Sequence, residues 1–527
     1  MIKKIILTLL IIAGCTLAQN NQSVELPNFV ITGIRSVDIK TLNKKMPDLI
    51  STLSKEFILP TKTPDAFKIS ILSNISVPDT NINFVNRDYN GFLNVGVGIN
   101  TLPVGNLRYT LSSRHVMLNA KVWGSNDREF IDNAGYNTSG VSVNSDFFVS
   151  GSSSFLPGLR VSLKTGFERD DYKFYGSATP TQERKSKNLY GGAELVHNLG
   201  GYNFGLELSG RAYELENIKL EEKYFNAKAF VEFNVSRFAV KASAEYKKQD
   251  LTNNLSLTDN YDYLSGNAYA KLALSEKISV KGGVNYSKAD DLNLFSIYAG
   301  IKMKLSKEVS LYGEYNPGAD FFTIYDFVKK NKYFNLGTTD NLFTKHKTRF
   351  NATLKYEYEK YVEAGVSVDY SKSDNYGFFD DAAAKGKFDL KTADDIQIIS
   401  GGVYTLFHLG PMGKFYGSLN FSQATFSNDD KVPYHPTFSG QLNYSYLTRI
   451  GLEINPKLKL YSGAYTDIAN KNKLDTYIDL GVKFKYMLLK NLAATLEINN
   501  IANSKNYIFN GYEEKPMDII LGIDYRW

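Results

Sequence analysis

The chain has 527 residues, enough for several globular domains or for one large all-β barrel. Apolar residues make up 43% while mean hydropathy is negative, and aromatics reach 13%, with 36 Tyr and 33 Phe against two Trp; a phenol suits a boundary between apolar and wet surroundings. The formal net charge is +6 without a long basic run, which argues against nucleic acid as a partner.

The N-terminus reads as a secretory signal over residues 1–18. Lys3 and Lys4 precede an apolar run from Ile5 to Gly14, too short for a spanning helix. Two processing routes fit. Thr16-Leu17-Ala18 suits ordinary signal peptidase, and Ile12-Ala13-Gly14-Cys15 has the form of a lipobox that would leave Cys15 acylated. Cys15 is the only cysteine, so the chain cannot form an internal disulfide. Past residue 18 no apolar stretch reaches the length of a membrane helix, and a membrane span must be built from strands.

Residues 19–88 are expected to form an N-terminal periplasmic or lumenal segment. Pro27 and the β-branched Val30, Ile31 and Thr32 favour extended backbone in "VELPNFVITGIRS". In "LNKKMPDLISTLSKEFILP", Met46, Leu49, Ile50, Leu53 and Phe57 fall near one face of a short helix.

From residue 89 to 527 segments of alternating polarity recur. "FAVKASAEYKK" sets Phe238, Val240, Ala242, Ala244 and Tyr246 against Lys241, Ser243, Glu245 and Lys247; the C-terminal "DIILGIDYRW" sets Ile519, Leu521, Ile523, Tyr525 and Trp527 against Asp518, Gly522, Asp524 and Arg526. Counted from the C-terminus the pattern yields about 22 strands, an even number as bacterial outer-membrane barrels require. They include 89–100, 138–149, 158–169, 237–247, 308–316, 344–357 and 516–527. Tight links such as 274–277, 305–308 and 409–413 are interleaved with long polar loops at 248–261, 317–343, 372–396, 424–435 and 502–515. That asymmetry predicts an all-β, transmembrane antiparallel barrel with short periplasmic turns and long extracellular loops, in the outer membrane of a Gram-negative-type bacterium. The link 150–157 is long for its side and marks a suspect boundary. Closure would pair the last strand with the first, near "FLNVGVGIN", and remove both sheet edges.

A search for reactive chemistry yields no candidate. The five histidines, His115, His197, His346, His408 and His435, lie far apart, so neither a metal nor a cofactor is expected. No nucleophile elbow occurs, and the expectation is a protein that is not an enzyme. Recognition remains. Aromatics on the loops, Phe321, Phe322 and Tyr325 on one and Tyr376, Phe378 and Phe379 on the other, are candidates for ligand contact, or for loop packing and the aromatic girdle. Lys241, Lys281, Lys355, Glu357, Glu363 and Lys483 are expected on the inner, wet face.

The last 42 residues, "YMLLKNLAATLEINNIANSKNYIFNGYEEKPMDIILGIDYRW", resemble the final hairpin of the TonB-dependent receptors, and "NPGADFFTIYDFVKKNKYF" with "TKHKTRFNATLKYEY" resembles that family's long loop leading into a downward strand. The resemblance implies an outer-membrane receptor for binding or uptake of a nutrient. It also implies a segment, Glu25, Leu26, Pro27, Asn28, Phe29, Val30, Ile31, Thr32 and Gly33, that would pair by strand addition with a TonB-like energy transducer. The alternate apolar residues ending on Trp527 are similar to the signal read by the barrel assembly machinery. The 37–88 stretch lacks the family's plug pattern, so the plug is expected to be truncated or absent, leaving residues 19–88, inward-folded loops 317–343 and 372–396, or a separate periplasmic partner to close the lumen. The other class kept open is a non-transporting structural or assembly scaffold.

Overall fold

Alternation of apolar and polar side chains commits the C-terminal five-sixths of the chain to paired strands. The computed structural model describes residues 90–527 apart from 151–155, 200, 253–259, 290–291, 337–342, 360 and 382–384. The expected signal, Cys15 and the segment Glu25–Gly33 all lie outside the described residues.

The strands in chain order are β1 Gly91–Gly98, β2 Thr101–Ser112, β3 Val116–Asp127, β4 Tyr136–Phe148, β5 Arg160–Lys173, β6 Glu183–Leu199, β7 Tyr202–Leu215, β8 Leu220–Val235, β9 Phe238–Thr252, β10 Asn260–Ala273, β11 Ile278–Ala289, β12 Leu292–Lys304, β13 Val309–Tyr315 and β14 Gly318–Phe321. They continue as β15 Phe334–Asn335, β16 Phe343–Tyr358, β17 Val362–Asp374, β18 Tyr376–Asp381, β19 Phe388–Ala393, β20 Ile396–His408, β21 Lys414–Thr425, β22 Phe438–Leu447, β23 Leu452–Tyr461, β24 Tyr477–Met487, β25 Leu492–Asn499, β26 Tyr507–Phe509, β27 Tyr512–Glu513 and β28 Asp518–Arg526.

Twenty-three of these form one antiparallel sheet. β13 and β14 pair successively with β16, Val309–Tyr315 against Tyr356–Phe350 and Gly318–Phe321 against His346–Phe343. They are one stave interrupted at Asn316–Pro317, so the barrel has 22 staves. Pro317 lacks the N–H that would continue the ladder. β1 closes the cylinder against β28, Phe92 opposite Arg526 through Gly98 opposite Ile520, and Gly91 and Trp527 exchange backbone hydrogen bonds of 3.0 and 3.2 Å. The expected closure of last strand on first is therefore present.

Side-chain direction follows the period of two. At the seam Val95, Val97, Leu521, Ile523, Tyr525 and Trp527 point outward and exposed, with Ile519 half-buried. The same outward face carries Val231, Phe295, Ile297, Val366 and Leu419 around the wall, an apolar surface far larger than a water-soluble chain tolerates. Hydrocarbon is the solvent that suits it. Exposed Tyr109, Phe147, Tyr202, Phe233, Tyr358, Tyr361, Tyr486 and Trp527 gather near the end that carries the C-terminus, as an interfacial ring does. No described helix is long and apolar enough to cross a membrane; the crossing is made by strands.

The inner face is polar. Asp524 accepts from Asn94 Nδ2 at 2.7 Å and from Lys485 Nζ at 2.7 Å, and Asp518 accepts from Thr101 Oγ1 at 2.6 Å, which fastens the seam from within. Lys355 bridges Glu357 and Glu363, and Glu497 bridges Lys457 and Lys483. Four inward aromatic side chains, Trp123, Tyr190, Phe230 and Tyr404, lie over inward glycines of a neighbouring strand, Gly140, Gly166, Gly205 and Gly365; a Cβ at any of these would collide with the aromatic side chain. Glycine is required there by close approach.

Candidate functional site in the barrel lumen

The core of this protein sits inside the cylinder, where two extracellular loops turn inward. The first begins where Pro317 ends β13. The carbonyl of Pro317 accepts from Asn285 Nδ2 at 2.9 Å and Ser296 Oγ at 3.0 Å, and that of Asn316 accepts from Arg349 Nε at 2.9 Å. These donors project from the inner faces of β11, β12 and β16, so the loop is drawn toward the axis. Tyr263 of β10 then donates to Ala319 O at 2.7 Å, and Asp320 meets Arg349 and the buried His346, each at 3.2 Å.

A short helix, α1 (Ile324–Lys330), follows, opened by a capping box in which Thr323 and Asp326 satisfy each other's backbone donors. Ile324, Phe327 and Val328 are buried. Glu222 of β8 accepts from Tyr325 N at 3.0 Å, Glu168 of β5 accepts from Tyr325 OH at 3.2 Å, and the Arg211 guanidinium stacks 3.9 Å from the Tyr325 ring. Beyond the helix the chain is clamped: Lys332 O accepts from Tyr172 OH and Arg184 Nη1, both at 2.7 Å, and Phe334 O accepts from Arg184 Nη2 at 3.1 Å. The Lys332 ammonium lies 4.0 Å from the Tyr136 ring, and burial lowers its pKa from the ordinary value.

The second inward loop is the β18–β19 hairpin, whose strands join β15 in a three-stranded sheet. Asp381 accepts from the Tyr434 hydroxyl and from Asn510 Nδ2, Asp380 accepts from Ile468 N at 3.1 Å, and Tyr512 donates to Gly386 O at 2.6 Å. Tyr333 of the first loop stacks on Tyr512 at 3.5 Å. Five outer connections are thereby tied into one lid with a shared aromatic core.

The six loop aromatics read from the sequence all belong to this lid. Tyr376, Phe378 and Phe379 are buried, Tyr376 and Phe378 in one cluster and Phe379 against Phe334 at 5.7 Å. Phe321 is buried and stacks on Tyr263, and Phe322 and Tyr325 are half-buried. Arg184, Tyr172 and Tyr512, which hold the lid, were not singled out; an arginine on an inner face near a strand end was the available signal.

Beneath the first loop lies a recess of about 640 Å³. It is lined by Lys228, Lys241, Lys247 and Lys281, by Arg349, Glu245, Glu314 and Asp320, and by the rings of Phe230, Tyr263, Tyr269, Tyr298, Phe321 and Phe322. Among the described residues no group of three or more His, Cys, Asp or Glu side chains is arranged to hold a metal.

Closed sheet, lipid-facing outer wall, polar bore and inward outer loops define a large outer-membrane β-barrel. Its fold is that of the TonB-dependent receptor barrels. The chain is similar to the ferric-catecholate import receptor Fiu of E. coli K12 (12% identity, TM-score 0.63, covering 84% of this chain and 82% of that one). It is similar also to the siderophore receptor PiuA of Acinetobacter baumannii (12%, 0.62, 84% and 82%) and to the copper transporter OprC (10%, 0.61, 84% and 80%). No protein-family model and no curated protein matches the chain.

Proposed function

We propose that this barrel is a surface receptor that binds a nutrient solute and admits it through the lumen by displacement of the inward lid, and that it is not an enzyme. The observation that carries this reading is the lid itself: a capped helix and a hairpin folded into the bore, with a solute-sized recess bordered by the first loop at Asn316–Phe322. A scaffold barrel has no use for a recess bordered by an inward loop. The fold neighbours, described as an import receptor, a siderophore receptor and a copper transporter, support the same direction.

In this reading Glu25–Gly33 is an extended segment that adds a strand to a TonB-like transducer, which supplies the work of moving the lid. Residues 19–88 are its tether, and the outer membrane its site of action. The test is arabinose flux into liposomes containing the full chain, the chain without 19–88, a chain with 318–336 replaced by a short Gly-Ser linker, or the chain carrying both changes. Flux should stay low until the lid is removed. Flux through the full chain equal to that of the lidless barrels would overturn the proposal.

A further inference from the structure

The recess under the lid has a charge pattern that the fold does not require. Lys247 is paired with Glu245 at 3.3 Å and Arg349 with Asp320 at 3.2 Å. Among the described residues, Lys228, Lys241 and Lys281 have no carboxylate within ion-pair distance, although each faces the same space. Two of them rest on rings: Lys241 Nζ is 4.8 Å from the Phe230 centroid and Lys281 Nζ 5.4 Å from that of Tyr269. The rings are themselves held. Phe230 lies over Gly205, Tyr269 packs against the Tyr298 ring at 5.4 Å, and Gly283 lets the β10 backbone at Ala268–Tyr269 approach closely. Tyr269 sits between the two lysines in the ladder, opposite Lys241 on β9 and opposite Gly283, two residues from Lys281, on β11.

Unpaired ammonium groups, Lys241 and Lys281 half-buried and Lys228 exposed, raise the potential of a cleft, and ring faces held beside them offer stacking at little cost in side-chain entropy. The geometry points to a binding site for a small organic anion with a planar ring, its charge between Lys241 and Lys281 and its ring against Tyr269, with Lys228 adding to the field. The volume fits one such molecule, within the range of roughly 300–1,000 Å³ common to small-ligand sites. This names the solute class for the receptor reading and rests on it.

The probes are terephthalate, a planar dianion, and terephthalamide, its uncharged counterpart, titrated calorimetrically into the full-length chain in detergent. The dianion should bind, and bind less tightly as salt is raised; the diamide should bind at least tenfold more weakly. Lys241→Met with Lys281→Met should weaken terephthalate at least tenfold, while Lys164→Met, on β5 and outside the lining of the recess, should leave it unchanged. Heat-modifiable gel migration verifies that each variant is a folded barrel. Equal binding of dianion and diamide, no binding of either, or an unaffected double variant overturns the site. Binding is read without flux: terephthalate bound by a barrel whose arabinose flux ignores the lid sinks the receptor reading alone, and a lid-dependent flux without terephthalate binding sinks this site alone.

Discussion

Arg184→Met is the sharpest perturbation of the lid. Arg184 is 6% exposed, donates to both Lys332 O and Phe334 O, and lies 4.6 Å from the Phe174 ring. A hydrogen bond from a charged donor contributes about 1.5–3 kcal/mol, so the pair contributes about 3–6 kcal/mol. Tyr172 continues to serve Lys332 O, and methionine keeps the apolar contact with Phe174, which brings the loss in lid closure to about 3 kcal/mol. At 1.4 kcal/mol per decade the open population should rise on the order of a hundredfold. Single-channel conductance in a planar bilayer reads this directly, as more frequent and longer openings at unchanged unitary conductance. Open probability within about threefold of the parent chain, in a variant that still shows heat-modifiable migration, would refute the clamp.

Further outcomes follow from other parts of the molecule. His435, in the loop before β22, is held at 2.7 Å from Ser422 Oγ, and burial pushes its pKa down from 6.5 to about 4. The neutral ring is favoured in the packed loop, so loop stability present above pH 6.5 is lost as pH falls toward 4; conductance should rise over that window, and His435→Gln should flatten the response. Trp527→Ser should slow appearance of the heat-modifiable form during assembly, with Lys164→Met as an unaffected control; unchanged assembly kinetics would remove the C-terminal signal role. A peptide of residues 24–36 should bind the periplasmic domain of a TonB-like transducer in calorimetry, and Ile31→Pro, which removes a strand N–H, should abolish binding. Gly283→Val should lower the urea midpoint of barrel unfolding, because its added carbons meet the Ala268 backbone oxygen and Tyr269 Cβ; an unshifted midpoint would show that the wall accommodates them.

The 22 staves were legible because lipid outside and water inside impose a period of two on every one of them. Their ends were less so. The stave read as 237–247 runs to Thr252, since Lys248–Thr252 continue to pair above the apolar band where no alternation marks them. The suspect link 150–157 does join two strands, β4 and β5, but both of its boundaries move outward: β4 ends at Phe148 and β5 begins at Arg160 and runs to Lys173. Inside 317–343 the sequence showed aromatics without showing their order. A seven-residue helix is too short for periodicity, and the Thr323–Asp326 capping box was its only local mark. The hairpin within 372–396 escaped for a related reason: Tyr376, Phe378, Phe379 and Asp380 are buried on both faces of β18, so no alternation is imposed on it. Lys241 and Lys281 were placed on the inner face correctly, but that neither finds a carboxylate among the described residues, with Glu245 paired to Lys247, is a fact of register, set across three strands and invisible along one.

Trp123, Tyr190, Phe230 and Tyr404, pressed against glycines, occupy the wall as tiles rather than as spokes. A bulky ring standing radially would narrow the bore and swing with its rotamers; one that is grouted down leaves the diameter to the backbone and presents a stationary π-face to the lumen. Replacing Gly205 or Gly365 by a larger residue would lift a tile and put a tooth into a smooth bore, so that these glycines set its calibre without themselves projecting into it.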